Sequence, residues 1–241
     1  MVAFYLPGGI AVYTFSLLVG LGAALGLAWV LWQAPPEKAR VRFNAALCAL
    51  VGALIGGRAS FVIGNWAYYS LHPGDIPLVS LGGLGWPGAL AGGLIALAVY
   101  ARLSSEPLGS LADSLLPLLA LVSVSAWLAC WLDGCAYGSA ATSLGLPAPD
   151  EWGRVVLRFP VQLIGAVLAL SAFALVERLK NSPLRPGTAA WIGLFALAAI
   201  LFGLSFLRAD PVILWHRLRP DAWAALIFGG ISLLALLFVP R

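Results

Sequence analysis

The sequence predicts an all-α integral membrane protein built as a bundle of seven transmembrane helices. Hydrophobic residues make up 61% of its 241 residues and charged residues only 10%, whereas a soluble domain carries about 25% charged residues. The mean hydropathy is +0.96. At about 20 residues per span, seven spans leave only short loops. We therefore expect a single transmembrane domain over residues 1–241, which excludes soluble enzyme folds and secreted disulfide-rich modules.

Apolar segments separated by prolines define the seven spans. They are expected, in chain order, over residues 10–33, 43–65, 81–101, 111–132, 159–176, 188–207 and 222–239. Prolines fall between the segments, where they do not interrupt a helix: Pro35, Pro36, Pro73, Pro107, Pro147, Pro183, Pro186 and Pro220. The first 36 residues carry no charged side chain, so the basic region of a cleavable signal peptide is missing. We expect the first span to be retained.

The lysines and arginines of the loops predict the orientation. When loops are assigned alternately to the two sides, the first side carries Lys38, Arg40, Arg42, Arg102, Arg178, Lys180, Arg185 and Arg241. The second side carries Arg154, Arg158, Arg208, Arg217 and Arg219. Because basic residues are enriched in cytoplasmic loops, we expect a bacterial cytoplasmic (inner) membrane protein with its N-terminus outside and its C-terminus in the cytoplasm. The net charge of +4 then reflects orientation, and no nucleic-acid partner is expected.

Arg58 lies in the middle of the apolar second span, where an unpaired charge is costly. Asn65, seven residues later, lies on nearly the same helical face. Since a guanidinium can hold a lipid phosphate with two hydrogen bonds, Arg58 and Asn65 are candidate residues for binding a lipid headgroup. The alternative is that Arg58 pairs with Asp113 or Asp133 and holds helices together.

Glycines are crowded between residues 81 and 93, which read LGGLGWPGALAGG. In a loop at membrane depth that protein shields, the backbone N–H groups of Gly82, Gly83 and Gly85 could face a lipid headgroup. The other interpretation is a seam of small residues along which two helices pack closely. Composition favours the seam.

Cys130 and Cys135 flank a short stretch that contains Asp133, where a predicted helix turns into a loop. They could form a disulfide on the outer face. The sequence favours two small buried apolar side chains, because neither cysteine has a neighbouring His or Lys to activate it. We take Cys130, Cys135 and Asp133 as candidate structural or redox positions. Three cysteines and two histidines are too few to predict a zinc site, so no metal is expected.

Several landmarks occur in one order along the chain. They are Gly57-Arg58, Asn65, Gly82-Gly83, Asp113, Pro117, Asp133-Gly134, Tyr137-Gly138 and Pro160-Val161-Gln162-Leu163. Over residues 50–210, this order resembles the prolipoprotein diacylglyceryl transferase family. The resemblance implies a seven-span bundle with an outside N-terminus. It also implies transfer of a diacylglyceryl group from phosphatidylglycerol to the lipobox cysteine of a prolipoprotein, without a metal.

Some positions depart from the motifs of that family. Pro87 stands at the histidine of the family's Phe-His-Gly-Gly element, so no general base remains there. Trp127 stands at the arginine of the Arg-Ile-Gly-Asn-Phe-Ile-Asn-Gly-Glu signature, and Cys130 and Cys135 stand at its first asparagine and its glutamate. The Arg-Phe-x-x-Glu-Phe-x-Arg element keeps only Arg208. Because groups that act as a unit fail as a unit, we assign no catalytic residue.

The sequence therefore favours a non-catalytic pseudoenzyme of transferase-like fold. We expect it to be an accessory or structural subunit of a larger respiratory or photosynthetic membrane complex, in contact with other membrane protein subunits. A bound phospholipid such as phosphatidylglycerol would occupy the site near Arg58, and no other cofactor is expected. The alternative is a phosphatidylglycerol–prolipoprotein diacylglyceryl transferase, or a related lipid transferase in lipoprotein biosynthesis. A transporter is disfavoured, because the sequence has no internal repeat.

Overall fold

The computed structural model describes residues 2–6, 10–79, 82–180 and 184–238. The helices of this part of the chain are α1 Thr14–Trp32, α2 Pro36–Gly64, α3 Trp66–Tyr69, α4 Trp86–Leu103, α5 Leu108–Ser114, α6 Leu116–Asp133, α7 Val161–Leu179, α8 Thr188–Ser205 and α9 Pro220–Phe238. All except the short α3 and α5 are long and apolar enough to cross a membrane. The prediction of seven transmembrane helices is confirmed.

Four spans begin four or more residues away from the expected position, and α4 begins at Trp86 and not at residue 81. Residues 10–13 belong to a strand, because β1 Val2–Leu6 pairs with β2 Ile10–Tyr13 in an antiparallel hairpin. α2 begins at Pro36 and not at residue 43, since an apolar window stops at charged residues whereas proline suits the first turn of a helix. α6 begins at Leu116 and not at residue 111, because Pro117 has no N–H with which to continue α5.

The length of α2 exceeds what a bilayer requires. Its 29 residues correspond to about 43 Å at 1.5 Å per residue, and the hydrocarbon core is about 30 Å thick. The charged first turns of α2 therefore extend beyond the apolar layer. Four other predicted features, namely Leu81, Pro183, the last residue of the seventh span and Arg241, lie outside the described residues.

The chain divides into two compact units. Unit 1 comprises the described residues of 1–32 and 116–241, and unit 2 comprises residues 33–115. This division does not test the prediction of a single transmembrane domain, which stays a prediction.

In unit 2, α2 and α4 pack against each other along glycines. A Cβ atom on Gly56 would lie 2.2 Å from the carbonyl oxygen of Gly88, and one on Gly92 would lie 2.2 Å from that of Gly52. Such distances leave no room for a side chain, so the helices approach at backbone contact and run antiparallel. The predicted seam of small residues is confirmed for Gly88 and Gly92.

In unit 1, α1 packs antiparallel on α6, α7 packs on α6 and α8, and α9 packs on α8. Gly22 lies against Ser125 and Gly26 against Leu118, which sets the antiparallel direction of α1. One buried cluster joins α6 and α8 to the beginning of α7: Trp127, Ala136, Val161, Ala166, Ala169 and Leu204. This cluster brings the ends of α6 and α8 and the beginning of α7 to the same end of unit 1.

A second hairpin lies at that end, between α6 and α7. β3 Leu146–Pro149 pairs antiparallel with β4 Val155–Arg158. The N–H of Ala141 donates to the carbonyl of Leu157 at 3.0 Å, so an extended segment also flanks β4 on its other side. The N–H of Ala209 donates to the carbonyl of Tyr137 at 2.8 Å. The loop between α6 and α7 is thereby joined to the loop between α8 and α9.

Candidate functional site

Arg58 is buried in α2, and its guanidinium is enclosed by one loop of unit 2. It is 7% exposed. Nε donates to the carbonyl of Ile76 at 2.8 Å and Nη2 to that of Asp75 at 2.7 Å, while Nη1 donates to Gly82 and to Gly83. The guanidinium carbon also lies 5.2 Å from the centre of the Tyr69 ring. Arg58 thus ties the loop between α3 and α4 to the second span.

The predicted headgroup residues Arg58, Gly82, Gly83 and Gly85 do lie together, but their hydrogen bonds are directed inwards. Gly82 and Gly83 have φ angles of +80° and +83°, which glycine adopts without strain and which direct both carbonyls to Arg58. The N–H of Gly85 donates to the carbonyl of Gly57 at 2.9 Å.

All three guanidinium nitrogens of Arg58 donate to carbonyls, and not to the carboxylates considered from the sequence. A lipid phosphate at Arg58 would have to replace one of these carbonyls. Asn65 is exposed at the end of α2, where its side-chain Nδ2 donates to the carbonyl of Phe61 at 2.9 Å. Lipid binding by these residues stays a prediction.

Cys130 and Cys135 form a disulfide, with their Cα atoms 4.6 Å apart. Gly134, between them, has a φ of +76°, which reverses the chain at the end of α6. Gln162 is fully buried in the first turn of α7, and its Nε2 donates to the carbonyl of Cys135 at 2.9 Å. The disulfide therefore lies at the junction of α6 and α7. Asp133 is the last residue of α6.

Asp150 organises the loop that carries the second hairpin. Its carboxylate accepts hydrogen bonds from the backbone N–H groups of Arg154 at 2.9 Å and Trp152 at 3.0 Å. The guanidinium groups of Arg154 and Arg158 lie 3.3 Å away. Burial alone would raise the pKa of Asp150, but these hydrogen bonds and charges outweigh burial and hold the pKa below its usual range.

Tyr137 joins the same network from the other side. The guanidinium carbon of Arg158 lies 4.1 Å from the centre of the Tyr137 ring, a cation–π contact. The Tyr137 hydroxyl donates to the carboxylate of Glu151. Burial and this hydrogen bond raise the pKa of Tyr137 to about 12, so the hydroxyl keeps its proton at neutral pH.

Two arginines and two aspartates form a four-membered group that we call the arginine–aspartate quartet: Arg208, Asp210, Arg219 and Asp221. Arg208 donates through Nε and Nη2 to both oxygens of Asp210, at 2.8 and 2.6 Å. Its Nη1 donates to Asp221. Arg219 donates through Nη2 to Asp210 at 2.7 Å and lies 3.3 Å from Asp221. Each carboxylate is thus held between two guanidinium groups.

The electrostatics of the quartet follow from this arrangement. Burial by itself would raise the pKa of Asp210, but the hydrogen bonds and charge of Arg208, together with the charge of Arg219, hold the pKa below its usual range. The same contacts raise the pKa of Arg208 in spite of its burial. Two guanidinium groups face two carboxylates, so the formal charges of the quartet cancel.

An open cleft of about 360 Å³ adjoins the quartet. Its walls come from the end of α8 and the loop that follows, and they include Arg208, Asp210, Arg217 and Arg219. Among the described residues, there is no group of three or more His, Cys, Asp or Glu side chains that could hold a metal ion. The guanidinium groups that line this cleft, beside the carboxylate of Asp210, can recognise an anion.

Sequence reasoning kept Arg208 as a remnant of a family motif and missed its partners. A usable signal was present, because the pattern Arg-x-Asp occurs twice in the same loop region, at residues 208–210 and 219–221. In a chain with so few charged residues, two such patterns in one loop predict mutual pairing. Tyr137 and Asp150 left no comparable signal, since their partners come from turns that the sequence alone does not define.

Comparison with known proteins adds to this geometry. A family model described as prolipoprotein diacylglyceryl transferase matches residues 1–238. A phosphatidylglycerol–prolipoprotein diacylglyceryl transferase of Dehalococcoides mccartyi is 30% identical over 215 residues, which cover 84% of this chain and 80% of the relative. A protein of the same name from Lactococcus lactis subsp. cremoris is 26% identical over 247 residues, covering 97% of this chain and 92% of the relative.

These similarities overturn the expectation of a non-catalytic accessory subunit in a respiratory or photosynthetic complex. The relatives carry the name of a transferase, and the match extends over all seven membrane helices. The sequence argument had given most weight to a few motif positions such as Pro87 and Trp127, whereas the similarity covers the whole chain. The family and the seven apolar helices together indicate a multi-pass protein of a bacterial inner membrane. With a match from residue 1 to residue 238, the chain belongs to the prolipoprotein diacylglyceryl transferase family.

Proposed function

We propose that this chain is a diacylglyceryl transferase that acts on phosphatidylglycerol and a prolipoprotein. The observation that carries the proposal is the family match over residues 1–238. The relatives from Dehalococcoides mccartyi and Lactococcus lactis are both named for this reaction. A chain that keeps the whole scaffold of seven helices and their loops is a better candidate for the same reaction than for an unrelated role.

The reaction makes two demands on the protein. A bond forms between the cysteine sulfur of the prolipoprotein and the terminal glyceryl carbon of the lipid, and the bond from that carbon to the phosphate oxygen breaks. The phosphate leaves with the headgroup glycerol, and the thiol proton passes to a base. The protein must therefore stabilise negative charge on the departing phosphate and provide a proton acceptor.

The cleft beside the quartet could meet both demands. Arg208 and Arg219 supply guanidinium groups, and Asp210 and Asp221 supply carboxylates within hydrogen-bond distance of them. A lipid phosphate that replaced one carboxylate at Arg208 would release a carboxylate oxygen as a proton acceptor. Such an exchange would provide the base that Pro87 cannot supply.

We propose further that this end of unit 1 faces the outside of the cell. The proposal depends on the excess of lysine and arginine in the loops assigned to the cytoplasm. In this orientation the cleft would lie at the outer surface, where a membrane-tethered prolipoprotein presents its cysteine. The substrates would then be a lipid of the membrane and an exported protein.

A direct assay tests the proposal. Purified protein is reconstituted in vesicles that contain phosphatidylglycerol, and a lipobox peptide is added. We expect the peptide to gain the mass of one diacylglyceryl group. Because Arg208 contacts both carboxylates of the quartet, Arg208→Gln should lower the rate at least about tenfold. The matched control is Arg102→Gln, which removes an exposed arginine at the end of α4 and should leave the rate within about twofold.

A second measurement tests the same activity in cells. Expression of the chain should restore growth and prolipoprotein modification in bacteria depleted of their own transferase. Folded protein that leaves the peptide unmodified in phosphatidylglycerol vesicles, and that also fails to rescue the depleted cells, would contradict the proposal.

A further inference from the structure

The loop between α8 and α9 contains a two-residue turn at His216 and Arg217. The N–H of Trp215 donates to the carbonyl of Leu218 at 2.8 Å, and the N–H of Leu218 donates to the carbonyl of Trp215 at 3.0 Å. His216 and Arg217 have φ angles of +47° and +66°, the left-handed values of a type I′ turn. Asparagine and glycine are preferred at these positions, because other side chains strain the backbone there.

This turn is fixed at both ends. The indole Nε1 of Trp223 in α9 donates to the carbonyl of Trp215 at 2.9 Å. Arg219, directly after the turn, donates to the carbonyl and the carboxylate of Asp210 at 2.9 and 2.7 Å. Among the described residues, His216 and Arg217 are the only adjacent non-glycine pair with positive φ. Such strain persists only where the surroundings impose it, and it is concentrated at functional sites.

Arg217 gives the neighbouring cleft its net charge. The quartet contributes two positive and two negative charges, which cancel. Arg217 is exposed and lines the same cleft, and within the described part of the chain it forms no ion pair with a carboxylate. The cleft therefore carries one uncompensated positive charge in its wall. Its volume of about 360 Å³ falls within the range of about 300 to 1,000 Å³ that is typical of small-molecule sites.

The rim of the cleft is apolar. Phe206 and Leu214 line it and are 61% and 55% exposed, and the adjacent Ile213 is 80% exposed. These side chains belong to the segment that follows a membrane-spanning helix, so they lie close to the level at which a bilayer ends. A charged interior with an apolar rim fits an amphiphile that has an anionic head and acyl chains.

We propose that this cleft binds the phosphate group of an anionic glycerophospholipid, and that Arg217 holds this phosphate in addition to Arg208, which lines the same cleft. A guanidinium can contact two phosphate oxygens at once, and the strained turn fixes Arg217 at the wall without a competing carboxylate. The inference deepens the proposed function, on which it rests, by assigning one residue to the phosphate of the lipid substrate. The strain of the turn is then explained by a requirement for the Arg217 side chain.

The test measures retention of dioctanoyl phosphatidylglycerol by the full chain in detergent, with native mass spectrometry as the readout. Arg217→Gln and Arg217→Gly should both weaken retention about tenfold, the effect of losing a charge-assisted contact. Arg217→Gly also relieves the turn, so it should unfold at a temperature no lower than the original protein. When the unfolding temperature of Arg217→Gly is no lower than that of the original protein, its loss of binding does not result from misfolding.

Two control variants accompany these measurements. Arg154→Gln removes an arginine whose side chain is 74% exposed, and it lowers the net charge by the same amount as Arg217→Gln. His216→Asn relieves the turn without removing Arg217. Both should retain the lipid within about twofold. Equal retention by the original protein and by Arg217→Gln would overturn the proposal, and so would an equal loss with Arg154→Gln.

Two further measurements complete the test. Competition with sodium phosphate distinguishes a lipid headgroup from free phosphate, and comparison with the transfer assay distinguishes the phosphate site from the proposed function. Displacement of the lipid by excess sodium phosphate would support recognition of the phosphate group alone. Retention despite sodium phosphate, with Arg217 still required, would support recognition of the lipid headgroup. If the peptide is not modified but lipid binding depends on Arg217, the proposed transferase activity is contradicted and the proposed phosphate site is supported. If the peptide is modified and Arg217→Gln binds lipid as well as the original protein, only the proposed phosphate site is contradicted.

Discussion

The environments of Arg58 in unit 2 and of Arg208 in unit 1 are built from different partners. Arg58 is surrounded by backbone carbonyls of one loop, which are neutral and cannot leave without unfolding that loop. Arg208 donates its side-chain hydrogen bonds to the carboxylates of Asp210 and Asp221, and a carboxylate can be exchanged for another anion. A charged residue near a membrane span is therefore better judged by its partners than by its charge. The neutral carbonyl partners suit a structural role for Arg58, and the exchangeable carboxylate partners suit a binding role for Arg208.

The largest expected effect comes from removing the Arg58 guanidinium. Arg58→Met leaves the carbonyls of Asp75, Ile76 and Gly82 without their donor in a part-buried position. We expect a loss of about 3 kcal/mol of unfolding free energy, because several hydrogen bonds from one charged donor are lost at once. Thermal unfolding in detergent measures it. Arg58→Lys keeps the charge but not the three separate nitrogens, so it should recover only part of the loss. A Met variant as stable as the original protein would show that the loop does not depend on Arg58.

A smaller effect is expected from opening the quartet. Asp210→Asn removes the charge that faces both Arg208 and Arg219, and the Asp210 side chain is 19% exposed. We expect a loss of about 2 kcal/mol, below the range for fully buried pairs because water reaches this group. A double-mutant cycle of Arg208→Gln with Asp221→Asn should yield a coupling energy of about 1 kcal/mol. Strict additivity in this cycle would contradict the paired arrangement.

Acidification should distinguish the two environments further. The pKa of Asp210 is lower in the folded protein than its usual value, which is about 3.9 in unfolded chains. The quartet therefore stabilises the fold fully above that value and loses its contribution as the pH falls through the folded pKa. Unfolding measured between pH 6 and about pH 3 should show a shallower loss for Asp210→Asn than for the original protein. Arg58→Met should keep the original slope, because carbonyls do not titrate.

The smallest effect concerns Tyr137. Tyr137→Phe removes the hydrogen bond to Glu151 and leaves the ring beneath Arg158. We expect a loss of about 1 kcal/mol, the typical value for one hydrogen bond, and chemical denaturation can measure it. Tyr137→Leu removes the ring as well and should cost more. Equal losses in the two variants would show that the cation–π contact with Arg158 contributes nothing.

Hydropathy and glycine spacing were sufficient to predict the helices and one packing contact. The seven spans and the seam at Gly88 and Gly92 follow from patterns that repeat along a helix. The sequence did not predict the partners of Arg58. They are backbone carbonyls of a loop further along the chain, and two of them belong to glycines with positive φ. The early start of α2 was not predicted, because its first turns are charged and a hydropathy pattern does not detect them.

The polar end of unit 1 was the least predictable region. β3 and β4 have four residues each, β3 contains two prolines, and they pair in a two-stranded sheet, so periodicity does not reveal them. The sequence analysis favoured two small buried side chains over a disulfide, because neither cysteine has a neighbouring His or Lys. Cys135 lies beyond the end of α6, and the left-handed Gly134 brings it back to within 4.6 Å of Cys130, measured between the Cα atoms. The end of the helix was predicted to within one residue, but the reversal at Gly134 was not.

The prolines of β3 limit how another extended chain can pair with this protein. Among the described residues, β3 pairs with β4 and with no other strand, and an unpaired strand edge normally attracts extended polypeptide. Pro147 and Pro149 have no N–H to offer there, and their rings obstruct the approach of another strand. Without these prolines, this edge would expose a template for pairing with another extended chain. The two prolines close that edge to incoming strands and leave the hairpin free to shape the loop around Asp150.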